Sequence, residues 1–289
     1  MSYVAGQDLG GLRVDLGPVP LGSVDTSGVA WRLMDLDGWD SPEVRSEMQQ
    51  READHGAWAS PVYLGERPMT ASGVIETPDR ATLDDAMERL RSAVALTDTL
   101  MVVWESTPKQ ALVRRSGKLV MKYITDRVAS YSLMVTAPDP RRYGVDLQSD
   151  TAKLPVTTGG LTPPVTPPVT IVSTSVSGVI DAENVGSFET RPVFVINGPV
   201  DSPKILAQMP DGSTRFLTYS QSLGVGEQLV INTDAHSVIL NGDVSRRRFM
   251  ATPTGWPIIP ANSQISVRFD ALYYNSSATL TALWRSAWI

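Results

Sequence analysis

The chain holds only two imidazoles, His55 and His236. They lie far apart in sequence, and neither stands in a pattern that would pair it with a serine and an acid. A Ser-His-Asp site therefore has no local support, and each histidine reads as a loop residue. The acid pairs Asp35/Asp37 and Asp84/Asp85 have the right chemistry for glycosidase carboxylates or for ligands to a hard cation. Their positions give a simpler account, as turn formers and as charges at the start of a helix. Cysteine is absent, which excludes disulfides, thiol catalysis and thiolate zinc sites. No EF-hand spacing, P-loop or strand-linked GxGxxG occurs, and Gly224-Val225-Gly226 is a loop glycine pair. The sequence thus predicts no enzyme, with no catalytic residue, no metal and no cofactor.

Binding chemistry is better represented. Arg246-Arg247-Arg248 could grip a phosphate or an acidic partner surface, or form a solvated turn. Tyr273 and Tyr274 could stack on a sugar, while Trp284 and Trp288 share an apolar face with Leu280 and read as core. Arg51, Glu52 and Asp54 stand in a polar stretch that reads as an exposed loop over 43–59. Arg141, Arg142 and Tyr143 follow two prolines at a sharp chain exit.

The elements that must position these residues are mostly strands. Residues 128–135 alternate with a period of two, giving one apolar face. Pro138 and Pro140 then stop the strand, since neither can donate to a ladder. Other strands are predicted around 12–16, 29–36, 61–64, 69–75, 100–104, 110–114 and 118–124. A single helix is predicted over 82–95, because Leu83, Ala86, Met87, Leu90, Ala93 and Val94 form one stripe and Thr82 with Asp85 resembles a capping box. Residues 145–177 are polar and proline-rich and read as a linker, although 170–179 alternates well enough to be a strand. Beyond it, short strands recur with turns between them, including Asp211-Gly212 and Asn241-Gly242. The second of these calls for positive φ at both residues of a type I′ turn. This spacing predicts a β-sandwich. The fold class is mainly β in two domains, 1–144 and 178–289.

At 289 residues the chain can bury two cores, with 42% hydrophobic and 19% charged residues. A net charge of −6 argues against a dedicated nucleic-acid binder. No run of about 18 apolar residues occurs, so membrane insertion is not expected. The first residues show no basic and apolar signal pattern.

The strand-to-turn stretch APDPRRYG (137–144) resembles the end of the first domain of siphophage distal tail proteins. The segments 180–203 and 226–242, the Trp-Pro and Pro-Ala-Asn-Ser stretch at 256–263, and the closing ALWRSAWI resemble that family's C-terminal domain. The resemblance implies an N-terminal split β-barrel with a helix and a C-terminal galectin-like or jelly-roll sandwich. It implies a homo-oligomer of six copies forming a ring, with the tail tube, tape-measure and tip hub proteins as partners. DNA would pass through the lumen without specific binding, in a virion component made in the host bacterial cytoplasm. Arg51, Glu52, Asp54, Arg141, Arg142, Tyr143 and Arg246 to Arg248 are the candidate partner-interface residues. The alternative reading is a carbohydrate-binding module touching a host-surface glycan through Tyr273 and Tyr274.

Overall fold

A computed structural model describes residues 11–158, 174–176 and 178–289. These residues are mainly β with one α-helix, and they divide into a unit ending at Val145 and a unit from Asp146 to Trp288.

The first unit contains β1 (Arg13–Leu16), β2 (Val19–Leu21), β3 (Ser23–Val24), β4 (Ala30–Asp37), β5 (Val44–Arg45), β6 (Met48–Gln50), β7 (Ala57–Ala59), β8 (Tyr63–Leu64) and β9 (Arg67–Glu76). After α1 (Arg80–Ala93) come β10 (Thr99–Trp104), β11 (Lys109–Arg115), β12 (Val120–Thr125), β13 (Val128–Ala137) and β14 (Arg142–Gly144). The main sheet runs β2-β1-β10-β11-β13-β9-β4-β3, with β12 added to β13 and β14 to β11. Its path is open, not a closed barrel. Trp31, Leu33, Ile75, Val103, Val113 and Leu133 alternate inward along their strands and meet Leu83, Ala86, Met87 and Leu90 of α1 in one core. Each fully buried large apolar side chain contributes roughly 1.5–3 kcal/mol relative to exposure.

The helix begins earlier than its stripe suggests. Asp79, in extended conformation, caps it by accepting from the Thr82 amide at 2.9 Å, so the start lies at Arg80 and not at Thr82. Residues 43–59 also differ from the loop expected of them. They form β5, β6 and β7, with β5 pairing β8 and β6 pairing β7, as a two-stranded arm. Its side chains are so uniformly exposed that no alternation was there to be read.

The centre of the sheet depends on one glycine. Gly73 of β9 lies between Tyr131 of β13 and Leu33 of β4. A register shift between Leu33 and Asp35 leaves Met34 as the extra residue of a bulge. Tyr131 reaches across Gly73 to donate its hydroxyl to the Arg32 carbonyl at 3.1 Å. Burial pushes the Tyr131 phenol well above its ordinary pKa. A Cβ on Gly73 would sit 1.9 Å from the Arg32 oxygen and 2.7 Å from the Tyr131 hydroxyl. Gly73→Ala is therefore expected to destabilise the unit by roughly 2–3 kcal/mol, as overpacking against backbone does. Chemical denaturation checks this, with Tyr131→Phe expected to recover part of the loss in the double variant.

The second unit contains β15 (Gln148–Lys153), β16 (Val156–Thr158), β17 (Thr174–Val176), β18 (Val179–Asn184), β19 (Val193–Asn197), β20 (Lys204–Gln208), β21 (Thr214–Tyr219), β22 (Gln228–Asn232), β23 (Ser237–Leu240), β24 (Val244–Ser245), β25 (Met250–Ala251), β26 (Ser263–Asp270), β27 (Thr279–Trp284) and β28 (Ala287–Trp288). One sheet runs β15-β27-β19-β22-β23-β24 and the other β18-β26-β20-β21-β25. Phe194, Ile231 and Leu280 from the first share one core with Ile205, Val267 and Phe269 from the second, so the two sheets form a sandwich.

The stretch expected to be linker holds ladder structure. β15 pairs β27 from Gln148↔Trp284 to Lys153↔Thr279, and β16 pairs β17. As an edge strand, β15 buries only Ala152 and is otherwise polar, which is why its sequence reads as connection. The Thr-Pro-Pro repeats of 162–169 lie outside the described residues. Asn241 and Gly242 have φ of 52° and 85°, as the hairpin reading requires, but the loop runs one residue further, to Asp243, before Val244 pairs Leu240.

Candidate functional site

The prolines after β13 shape a built corner. Arg67, at the start of β9, has no exposed surface. Its guanidinium donates twice to the Pro140 carbonyl, at 3.0 and 2.8 Å, and once to the Trp39 carbonyl at 2.6 Å. Burial first, then the positive charge of Arg142, pull its pKa down to about 10, while Asp40 and Asp139 oppose the shift.

The candidate residues Arg141, Arg142 and Tyr143 belong to this corner. Asp139 accepts from the Arg141 amide at 3.1 Å and from the Tyr143 hydroxyl at 2.6 Å, and Arg141 approaches the same carboxylate at 3.3 Å. Arg142 lies over the Trp39 ring, 5.4 Å from its centroid, and 4.0 Å from Glu105. Burial alone would raise the Glu105 carboxyl, but the Lys109 ammonium, the Trp39 indole N–H and Arg142 outweigh it and hold it below its ordinary value. The three residues thus hold the corner together from within. Sequence reasoning missed Arg67, whose one signal is a cation at the first position of an otherwise apolar-alternating strand.

The corner stands at the root of the arm. Pro138 and Pro140 line a cleft of about 550 Å³ together with Glu43, Arg45, Leu64 and Glu66. From there the arm carries Arg51, Glu52 and Asp54 outward. All three are exposed; Arg51 lies 3.5 Å from Asp54 and stacks over Trp58 at 4.5 Å. The large apolar side chains of the arm face solvent as well: Val44, Met48, Trp58, Val62 and Tyr63 are each 58–74% exposed.

In the second unit, Arg247 and Arg248 lie on a short 3-10 turn, 247–249, just after Arg246. Arg247 stacks on Trp256 at 4.9 Å and donates to the Met250 carbonyl, and Arg248 stacks on Phe249 at 4.5 Å. Trp256 is covered on another side by His236, with ring centroids 4.9 Å apart. Arg247 and Arg248 thus stay exposed while their guanidinium groups lie against aromatic rings. Tyr273 and Tyr274 are 68% and 55% exposed on the loop after β26, beside exposed Leu272. Trp284 is buried, with its indole N–H donating to the Glu183 carbonyl. Among the described residues no cluster of acids and histidines could hold a metal, and no helix is long and apolar enough to cross a membrane.

The two units together are similar in fold to solved phage Dit and baseplate proteins. The structure of the SPP1 Dit protein, described as a paradigm of the hub adsorption apparatus in phages infecting Gram-positive bacteria, is similar with a TM-score of 0.61 at 11% identity, over 89% of this chain and 93% of that one. A chain of the phage P2 baseplate, in its activated conformation with Ca, is similar with a TM-score of 0.53 at 10% identity, over 95% and 97% of the two chains. No protein-family profile and no curated protein sequence matches. The likeness is one of fold, and the fold is the one that the distal-tail resemblance implied.

Proposed function

We propose that the chain is a structural component of a long non-contractile phage tail, a distal tail protein whose first unit builds a ring between tail tube and tail tip. The observation that carries this reading is the full-length likeness to SPP1 Dit, which takes in both units and not one common module. The open strand edges of the first sheet and the exposed arm support it, because a closed ring needs two different surfaces on each copy that fit one another. Tail tube, tape-measure and hub proteins are the partners that such a ring would meet, and six copies are the number the resemblance implies. The net charge of −6 suits a channel that lets DNA pass without holding it. The role is structural and not enzymatic.

Light scattering with negative-stain imaging of the purified chain tests this. Particles near six times 31.3 kDa, seen as rings with a central hole, are expected. A chain that stays monomeric at high concentration, and also in the presence of its tail-tube neighbour, would overturn the ring.

A further inference from the structure

Three cations from three segments meet in the first unit. Arg91 lies in the last turn of α1, Arg115 ends β11, and Lys118 stands in the turn that leads to β12. Together with Gly117, Leu119 and Met121 they line a cavity of about 320 Å³. Leu119 and Met121 are half-buried and pack against the core, so one wall of the cavity is apolar. Gathering like charges costs free energy unless something of opposite sign offsets it.

The protein supplies only part of that offset. Arg91 is paired with Glu88, one turn back on the helix. Asp84 lies near Arg91 but accepts from the Tyr123 hydroxyl and is paired with Arg80, so it is already balanced. Arg115 and Lys118 are exposed and have no ion pair among the described residues. Three cations against the one carboxylate of Glu88 leave the cavity a net charge of +2, in a chain whose net charge is −6.

We propose that this cavity is a binding site for a phosphate monoester carried on a small organic body, held by Arg91, Arg115 and Lys118. Charge, geometry and size each point to that class. A phosphate monoester carries about −1.5 to −2 at neutral pH, which matches the cavity's surplus, whereas a phosphodiester carries a single charge. Two guanidinium forks and one ammonium suit a tetrahedral oxyanion, because each fork can give two parallel N–H bonds and the ammonium adds a point charge. The cavity lies at the small end of ligand pockets, and Leu119 with Met121 offers the organic body an apolar wall. A bound ester would tie the end of α1 to the end of β11 and to the turn before β12. The inference goes beyond the tail reading and does not rest on it.

Isothermal titration calorimetry of the full-length chain tests this, with glycerol 3-phosphate and inorganic phosphate as probes at constant ionic strength. Saturable binding of both is expected, tighter for glycerol 3-phosphate. Arg115→Gln and Lys118→Gln should each weaken it about tenfold, the loss that follows from removing one charge-assisted contact. Glu88→Gln should tighten it, because Arg91 is then released to the ligand, and a gain in affinity cannot come from misfolding. Hydrogen exchange with glycerol 3-phosphate bound should show added protection at 88–94 and 114–121 and none in the second unit. Absence of saturable binding, or binding unchanged by all three substitutions, overturns the site and leaves the ring reading untouched. Inorganic phosphate or succinate, a dicarboxylate of similar charge, binding as tightly as glycerol 3-phosphate would overturn the assignment to an ester. A single-stranded oligonucleotide binding more tightly than the monoester would overturn it too.

Discussion

Arg67→Met is expected to cost the first unit about 3–5 kcal/mol, the loss that follows when one partner of a buried charged network is removed. The arginine has no exposed surface, and its guanidinium hydrogen bonds tie the Pro140 carbonyl to the Trp39 carbonyl, two loops far apart in sequence. Methionine fills much of the same volume, so the cost comes from two carbonyls left without donors, not from a void. It also removes the buried cation that Asp40 and Asp139 favour. Lysine keeps the charge but cannot fork to both carbonyls, so Arg67→Lys should recover less than half of the loss. The loss should be flat from pH 6 to 9. The folded guanidinium titrates near 10, below its unfolded value, so the folded state gives up that proton first and this site's contribution to stability rises only above about pH 10. Hydrogen-exchange mass spectrometry of the full chain measures the effect unit by unit. Peptides from β9, β13 and the 138–144 corner should lose protection while those of the second unit keep theirs. Unchanged protection in the corner would show that Arg67 does not hold it.

Where periodicity and burial coincide, the sequence was readable. The stripe from Leu83 to Ala93 and the alternation from Val128 to Ala137 both face the core, and the structure forms a helix and a strand there. Elements that bury little were not readable. β15 has one buried side chain, and the arm strands have none, so neither carries an apolar pattern to distinguish ladder from loop. The sites divide in the same way. Arg141, Arg142 and Tyr143 stood out because two prolines mark the turn before them, yet the Trp39 and Glu105 that Arg142 meets, and the Arg67 that binds Pro140, come from three other segments of the chain.

Asn184 at the end of β18 should matter to the second unit as Arg67 does to the first. It is fully buried, and its amide nitrogen faces three carbonyls, those of Phe188 at 2.7 Å, Ile259 at 3.2 Å and Pro260 at 3.0 Å. Its oxygen accepts from the Gly186 amide at 3.0 Å and the Ala287 amide at 3.1 Å. One side chain therefore gathers three stretches distant in sequence, and Gly186 is tied so closely that a Cβ on it would meet the Ala287 oxygen at 1.9 Å. Asn184→Ala removes every one of these bonds at once and is expected to cost about 3–5 kcal/mol, since buried backbone groups are left unpaired. Asn184→Asp is the more discriminating change. A carboxylate keeps the acceptor for the two amides but turns a negative oxygen toward three carbonyls, so burial and repulsion raise its folded pKa above the unfolded value of about 3.9. The folded state then holds the proton more tightly, and stability is greatest below about pH 4 and falls as pH rises through the window above it. The wild-type side chain does not titrate, so the stability difference between the two proteins should widen between pH 4 and 7. Denaturant midpoints of both proteins across that range measure it. A difference independent of pH would mean that the residue at 184 does not face those carbonyls.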